Sequence, residues 1–306
     1  MSNPTVSVII PTHNRAHLIA RAIKSVLNQT YQEFELIVVD DASTDNTEEV
    51  VKSFSDNRIR YIPHKTNLGG SAARNTGIKA AKGEYIGLLD DDDEWLTKKL
   101  QKQINKFQKL SDDFGLVYTG QVVVSEKRRE SLYSLIPKLR GNVYDNLLGS
   151  CILGSATPLL KKRCFKNAGF FDETLPSNQD WDMWLRISKY YKFDYVPDIL
   201  AKQYFHGNQI SLTLEKKIIG REKFLKKHWL EISHRPQTYA NILNRLGVLQ
   251  TIAGNSKKAR KYFFTSFRIN PFRRSGYIHF LLSLLSPQIH RRIVKKKYCN
   301  YRFKSL

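Results

Sequence analysis

The sequence predicts an α/β fold: a mostly parallel sheet flanked by helices, followed by a small α-helical C-terminal region. Two observations carry this. Over roughly the first 110 residues, short apolar runs suited to a covered parallel sheet alternate with segments of helical period. That alternation is the rhythm of βαβ units with right-handed crossovers. The charge then changes character along the chain. Residues 215–306 hold 22 Lys and Arg against 3 acids, whereas residues 1–214 hold 28 against 25. The shift divides the chain into a nearly neutral body, 1–214, and a basic helical extension, 215–306.

Each element follows from its own pattern. SVII, FELIVVD, RIRYI and EYIGLLD are short apolar runs and read as strands. HLIARAIKSVLNQ, TEEVVKSF and SAARNTGIKAA lie between them with apolar residues at helical spacing. LTKKLQKQINKFQKL is a further amphipathic helix and FGLVYTGQVVVSE a strand. Residues 126–150 read as loop and short helix. ATPLLKK is strand-like, KRCFKNAG is a short helix ending at Gly169, DWDMWLRISKYY is a helix, and YVPDILAKQYF closes the body as a strand. In the extension, REKFLKKHWLEIS, TYANILNRLGVLQTIAG and SKKARKYFFTSFRINP are helical in period. The last two form a helix–turn–helix pair broken at Gly254 and ended by Asn270-Pro271. The pair is similar to a single tetratricopeptide-type repeat, and one repeat alone builds no solenoid.

Composition excludes several classes. No apolar run approaches the ~18 residues of a membrane span. The N-terminal segment reads as a first strand and not as a leader. Cys151, Cys164 and Cys299 are too widely spaced for a disulfide framework or a zinc site, which fits a reducing cytoplasm.

In an open α/β sheet, ligands bind at the carboxyl ends of the strands. The first strand ends in Pro11-Thr12-His13-Asn14-Arg15, the second in Asp40-Asp41, and the third runs into His64–Gly70. The fourth ends in GLLDDDDEW, five consecutive acids after a buried-looking run. Carboxylates gathered at a strand end suit a hard divalent cation, Mn²⁺ or Mg²⁺. Absent a turn, strand alternation puts Asp90 and Asp92 on one side and Asp91 and Asp93 on the other. The competing reading is a solvated acidic loop leading into a helix near Leu96.

SVIIPTHNR, VVDDASTDNT, NLGGSAARNTGIKAAKGEYIGLLDDDD and NQDWDMWLRIS, in that order, resemble the family-2 glycosyltransferases with a GT-A (Rossmann-like) fold. The likeness covers roughly residues 5–210. It implies a divalent metal on the strand-end DxD, matched by Asp90 and Asp92, with Asp92 the more direct ligand. It implies nucleoside contacts from Pro11, Thr12 and Asn14 and from Asp40 or Asp41. The resemblance also implies that Arg74, in the family's ARN segment, reaches base or phosphate, and that Asp90 and Asp91 face the nucleotide-sugar. Asp180 matches the general base that inverting transfer needs. Gln179 stands where the family usually carries an acid. Asp182 is a weaker base candidate, and Trp184 reads as core. His206 matches a histidine that touches metal or diphosphate.

The expected partners are a nucleotide-diphosphate sugar, a UDP-sugar foremost, and a glycan or lipid-linked acceptor. Beyond Pro271 the chain carries nine Lys and Arg and no acid, beside the apolar run GYIHFLLSLLS. An apolar patch next to a basic cluster suits the anionic inner face of a cytoplasmic membrane. Two other readings compete: a non-catalytic body whose basic tail binds anionic lipid or nucleic acid, and a sugar nucleotidyltransferase. No nucleic-acid-binding signature supports a nucleic-acid partner. The glycine-free PTHNR loop disfavours the nucleotidyltransferase.

Overall fold

The computed structural model describes residues 4–205, 213–272 and 274–301, with backbone alone at 274–275 and 297–301. The chain divides into two compact units. The first comprises Met1–Tyr144, Ile152–Glu173 and Gln179–His206; the second comprises Asp145–Cys151, Thr174–Asn178 and Gly207–Leu306.

The first unit opens with β1 (Val6–Thr12), α1 (Ala16–Leu27), β2 (Phe34–Asp40), α2 (Thr47–Lys52), β3 (Ile59–Pro63), α3 (Gly70–Ala80) and β4 (Tyr85–Leu88). All seven residues of β1 and all seven of β2 are buried, which is why their sequences run apolar without alternation. Each fully buried Val, Leu or Ile here contributes about 1.5–3 kcal/mol. Ala22, Ile23 and Val26 of α1 join the same core as Val8, Ile10 and Leu36.

A two-residue β5 (Glu94–Trp95) precedes α4 (Lys99–Phe107), β6 (Phe114–Ser125), β7 (Glu130–Leu135) and α5 (Tyr144–Gly149). Then come β8 (Leu159–Lys161), α6 (Cys164–Ala168), α7 (Gln179–Ile187) and β9 (Lys192–Phe205). The strands form a nine-stranded sheet ordered β3-β2-β1-β4-β8-β6-β9-β5, with β7 paired to β6. The β3-β2-β1-β4 half and the β6–β9 pair are parallel. β8 runs antiparallel between β4 and β6, and β5 and β7 are antiparallel to their neighbours. Thr12 lies opposite Asp40 and Ile9 opposite Leu88, so the carboxyl ends of β1, β2 and β4 meet at one sheet edge.

Residues 126–150 hold a strand that the sequence reading lacks. β6 turns back through Arg129, whose N–H donates to Ser125 O at 2.7 Å, into β7. No residue of β7 is fully buried, so no apolar alternation marks it, and the ladder to β6 alone fixes it.

The second unit is helical: it takes in nearly all of α5 together with α8 (Leu214–Lys227), α9 (Trp229–Ser233), α10 (Pro236–Ala253), α11 (Ser256–Ile269), α12 (Arg274–Leu285) and α13 (Pro287–Tyr301). Gly254 ends α10 in the left-handed conformation, φ 90°, where other residues are strained. α10 and α11 then pack through Leu243, Leu246, Ala259 and Phe263, all buried. Among the described residues no helix is long and apolar enough to cross a membrane.

Candidate active site

The acidic stretch is built by its flanks. Leu88 and Leu89 are buried at the end of β4. On the far side, Trp95 folds back over the strand: a Cβ added at Gly87 would lie 2.7 Å from its ring. The Trp95 Nε1–H donates to Ala156 O at 2.8 Å, and its backbone N–H donates to Ser25 Oγ at 3.1 Å. Glu94 and Trp95 pair with Lys202 and Ala201 of β9. The four aspartates between these anchors must reverse direction, and the Asp93 N–H closes the turn on Asp90 O at 3.1 Å.

The turn overrides strand alternation. Asp90, Asp92 and Asp93 gather, with carboxylate oxygens within 4.8 Å of one another. Asp91 points elsewhere and accepts from Thr12 Oγ1 at 2.8 Å. The expectation that Asp93 faces away from Asp90 and Asp92 is therefore corrected, because the chain is not extended there. Three convergent carboxylates form a hard-oxygen donor set that fits Mg²⁺ or Mn²⁺.

Two arginines brace this turn. Arg74, buried in the first turns of α3, donates to Asp90 Oδ1 at 2.5 Å. Its burial acts to lower its pKa, but the charges of Asp90, Asp180 and Asp91 outweigh that and raise it. Arg21 donates to Asp92 O at 2.6 Å, pairs with Glu126 at 3.0 Å and stacks 3.7 Å over the Tyr204 ring. Ser155 donates to Asp90 Oδ2 at 3.0 Å. Asp93 is almost fully enclosed and accepts from Tyr204 N–H at 3.1 Å. Burial first, then the charges of Asp92 and Asp90, hold its carboxyl well above the usual range. Asp91 is pushed up to about 7, again by burial and then by Asp92.

Asp180 lies in the first turn of α7. Its Oδ1 is shielded from solvent and has no hydrogen-bond partner among the described residues. Burial raises its pKa to about 6, with Arg74 pulling it down and Asp90 pushing it up. Arg74 thus links the acidic turn electrostatically to Asp180 across α3 and α7.

At the ends of β1 and β2 the polar groups interlock. Asp40 Oδ1 accepts from Ser43 N–H at 2.9 Å, and Oδ2 from Tyr61 Oη at 2.5 Å. Asp41 Oδ1 is 2.8 Å from His64 Nδ1 and accepts from Leu68 N–H, while Oδ2 accepts from Gly69 N–H at 2.7 Å. Gly69 has φ 91°, which only glycine adopts without strain. Asp41 therefore organises the loop leading into α3, whereas Asp40 makes fewer bonds and keeps acceptor capacity. Asp45 caps two helices: its Oδ2 accepts from Ala16 N–H of α1 and its Oδ1 from Thr47 N–H of α2. Asn14 is exposed, sits at φ 53° and accepts from Thr44 N–H at 2.7 Å. Pro11 and Thr12 are buried beside it.

Asp182 is fully buried and paired with Arg186 at 2.9 Å, a structural contact. Trp184 has no exposure and packs edge-on against Phe171 at 6.2 Å. His206 lies outside the described residues. Sequence reasoning did not single out Ser155, Arg21, Tyr204 or Asp93. None of the first three belongs to a local pattern, and Asp93 was hidden by the assumption of an extended chain.

Residues 7–164 match the family described as glycosyl transferase family 2. The chain belongs to that family. An uncharacterized glycosyltransferase of Rickettsia felis is 36% identical over 247 residues, 76% of this chain and 38% of the relative. The chain therefore spans well under half the length of that relative. The Escherichia coli protein named UDP-Glc:alpha-D-GlcNAc-diphosphoundecaprenol beta-1,3-glucosyltransferase WfgD is 34% identical over 189 residues, 62% of this chain and 72% of WfgD.

Among solved structures, S. aureus TarS 1-349 in complex with UDP-GlcNAc aligns with a TM-score of 0.61 at 21% identity, covering 97% of this chain and 92% of TarS. The mannosyltransferase PcManGT from Pyrobaculum calidifontis, in complex with GDP-Man and Mn²⁺, aligns with a TM-score of 0.59 at 17% identity, covering 96% and 87%. The fold is the GT-A fold of these neighbours.

Proposed function

We propose that this family-2 member transfers a sugar from a nucleotide-diphosphate sugar, a UDP-sugar foremost, to an acceptor hydroxyl with inversion. The observation that carries this is the charged cluster of the Asp90–Asp93 turn, Arg74 and Asp180, assembled from β4, α3 and α7. Asp90, Asp92 and Asp93 would hold the divalent cation. Bound there, Mn²⁺ or Mg²⁺ neutralises the charge that develops on the departing diphosphate.

The chain's own residues do the rest. Asp180, its Oδ1 without a partner, takes the acceptor hydroxyl proton as that oxygen bonds to the anomeric carbon. The bond from that carbon to the diphosphate oxygen breaks, and its electron pair leaves with the nucleotide. Arg74 holds Asp90 and lowers the proton affinity of Asp180, so that the base is ionised near neutral pH. Asp40 accepts from the base imide, and Pro11, Thr12 and Asn14 frame the nucleoside. Asp41 acts on that pocket through the loop it grips. The diphosphoundecaprenol acceptor in the WfgD name favours a lipid-linked acceptor, with the enzyme peripheral at the inner face of the cytoplasmic membrane.

The test is thermal unfolding with Mn²⁺ and, in turn, UDP, GDP, dTDP and CMP, repeated with Asp92→Ala. A nucleotide at 100 times its Kd adds about 2.7 kcal/mol of stability. The expected result is a Mn²⁺-dependent shift with UDP that Asp92→Ala abolishes. No shift with any nucleotide overturns the proposal.

A further inference from the structure

In the second unit, α8, α9 and α11 enclose a groove of about 650 Å³. Leu225, Trp229 and Tyr262 give it an apolar and aromatic lining, and Lys226, Lys258 and Lys261 converge on it. The three lysines are exposed, and none makes an ion pair or side-chain hydrogen bond among the described residues. The groove's acid, Glu222, is occupied: it accepts from Tyr262 Oη at 2.8 Å and from Gln250 Nε2 at 3.4 Å. Three unpaired ammonium groups around aromatic walls complement an anion carried on an apolar body.

The neighbouring surface says which anion. Leu230, next to Trp229, is 73% exposed. Phe264, one turn beyond Lys261, is also exposed and packs on Phe280 of α12 at 5.4 Å. Along α12, residues Tyr277, Ile278, Leu281, Leu284 and Leu285 recur at helical spacing, yet all five are exposed. Ile289 and Ile293, one turn apart on α13, are exposed as well, beside exposed Arg291 and Arg292. Exposed apolar side chains on α12, followed by exposed arginines beside Ile289 and Ile293 on α13, suit a boundary between apolar chains and anionic headgroups. A free anion in water would need no such surface.

We propose that the lysine groove seats the phosphate headgroup of an anionic membrane phospholipid. The exposed apolar surface of α12 and α13 enters the boundary between headgroups and acyl chains beside it. This rests on the peripheral-membrane part of the function proposed above and supplies a defined lipid site for it.

Trp229 makes the site readable. The other three tryptophans, Trp95, Trp181 and Trp184, are buried, so a change in emission on lipid addition reports Trp229. The full chain is titrated with phosphatidylcholine vesicles, with vesicles containing about 30 mol% phosphatidylglycerol, and with dihexanoyl-phosphatidylglycerol below its micelle concentration. Inorganic phosphate and single-stranded RNA are run alongside. The wild type is compared with Trp229→Phe and with the triple variant Lys226→Gln, Lys258→Gln, Lys261→Gln.

The expected result is a saturable blue shift with the short-chain lipid that is absent in Trp229→Phe and lost in the triple variant. Binding to the anionic vesicles should fall on the order of 100-fold in the triple variant, from roughly a fivefold loss per lysine near an anionic surface. An unchanged melting temperature and a retained UDP–Mn²⁺ shift in the triple variant show that the catalytic unit is intact. Failure here then leaves the glycosyltransferase reading standing. The proposal is overturned if the triple variant binds anionic vesicles as the wild type does. It is equally overturned if inorganic phosphate gives the same shift at the same concentration, or if RNA displaces the lipid.

Discussion

Replacing Asp180 with Asn tests the catalytic assignment and its electrostatics together. Burial places the Asp180 carboxyl at about 6, above its ordinary 3.8. With that value the base is about nine-tenths ionised at pH 7 and about one-tenth at pH 5. The wild-type kcat/KM should therefore fall roughly tenfold between those values, with the slope approaching one only below about pH 6. Asp180→Asn removes the base and should cost about 10²- to 10⁴-fold. It should also flatten the acid limb. Stability should move the opposite way. A folded-state pKa above the unfolded value means that the folded protein binds more protons there, so the ionised group opposes folding at neutral pH. The penalty is on the order of 3 kcal/mol above pH 6 and vanishes as pH falls through 3.8. The Asn variant should thus be more stable than wild type at pH 7.5, with the gain gone near pH 4. The assays are initial-rate profiles from pH 5 to 8 and urea unfolding at pH 7.5 and pH 4. A variant that keeps wild-type turnover, or keeps the acid limb, refutes the assignment.

Two further predictions concern supports of the site. Asp41→Ala strips partners from His64 and from the amides of Leu68 and Gly69, and should lower unfolding free energy by about 2–3 kcal/mol. A urea midpoint within error of wild type would exclude that anchoring role. Lys99 has no exposure, donates to Gln103 Oε1 at 2.8 Å and lies 3.9 Å over the Trp95 ring; burial holds its pKa well below the ordinary value. A lysine whose folded pKa is depressed opposes folding at pH 7 and ceases to do so as pH rises past the unfolded value of about 10.4. Lys99→Met should therefore raise the urea midpoint at pH 7, by about 1–3 kcal/mol in free energy, with a smaller gain at pH 10. A lowered midpoint at pH 7 would show that the Trp95 contact outweighs desolvation.

The parts of the fold legible in the sequence are those in which local pattern and burial agree. β1 and β2 are apolar at nearly every position because both sheet faces are covered, and the α1 stripe Leu18, Ile19, Ala22, Ile23 and Val26 faces that core. β7 escaped because its strand character comes from pairing with β6 and not from a buried face. The site divides the same way. The rule that ligands gather at strand ends pointed to Asp90, whereas Arg74 on α3 and Asp180 on α7 came only from the family resemblance; the charges of Asp90 and Asp180 both act on Arg74. Ser155 reaches Asp90 from 65 positions away, a contact that no periodicity encodes.

The acidic turn shows why the missing information was tertiary. Read locally, four aspartates after an apolar strand extend it, and alternation splits them into two pairs. The reversal is imposed from outside: Trp95 fills the space that Gly87 leaves and is tied to Ala156 and Ser25, while Glu94 is tied to Lys202. These anchors come from α1, from the segment before β8, and from β9, all distant in sequence. With both ends held, the turn cannot relax outward to separate its charges; burial first, and then the repulsion of Asp92 and Asp90, raises the pKa values of Asp91 and Asp93. A glycine at position 87 and a tryptophan at position 95 therefore do as much to gather the carboxylates as the aspartates themselves. Enlarging Gly87 would displace Trp95 and disperse the Asp90, Asp92 and Asp93 carboxylates although all three were still present.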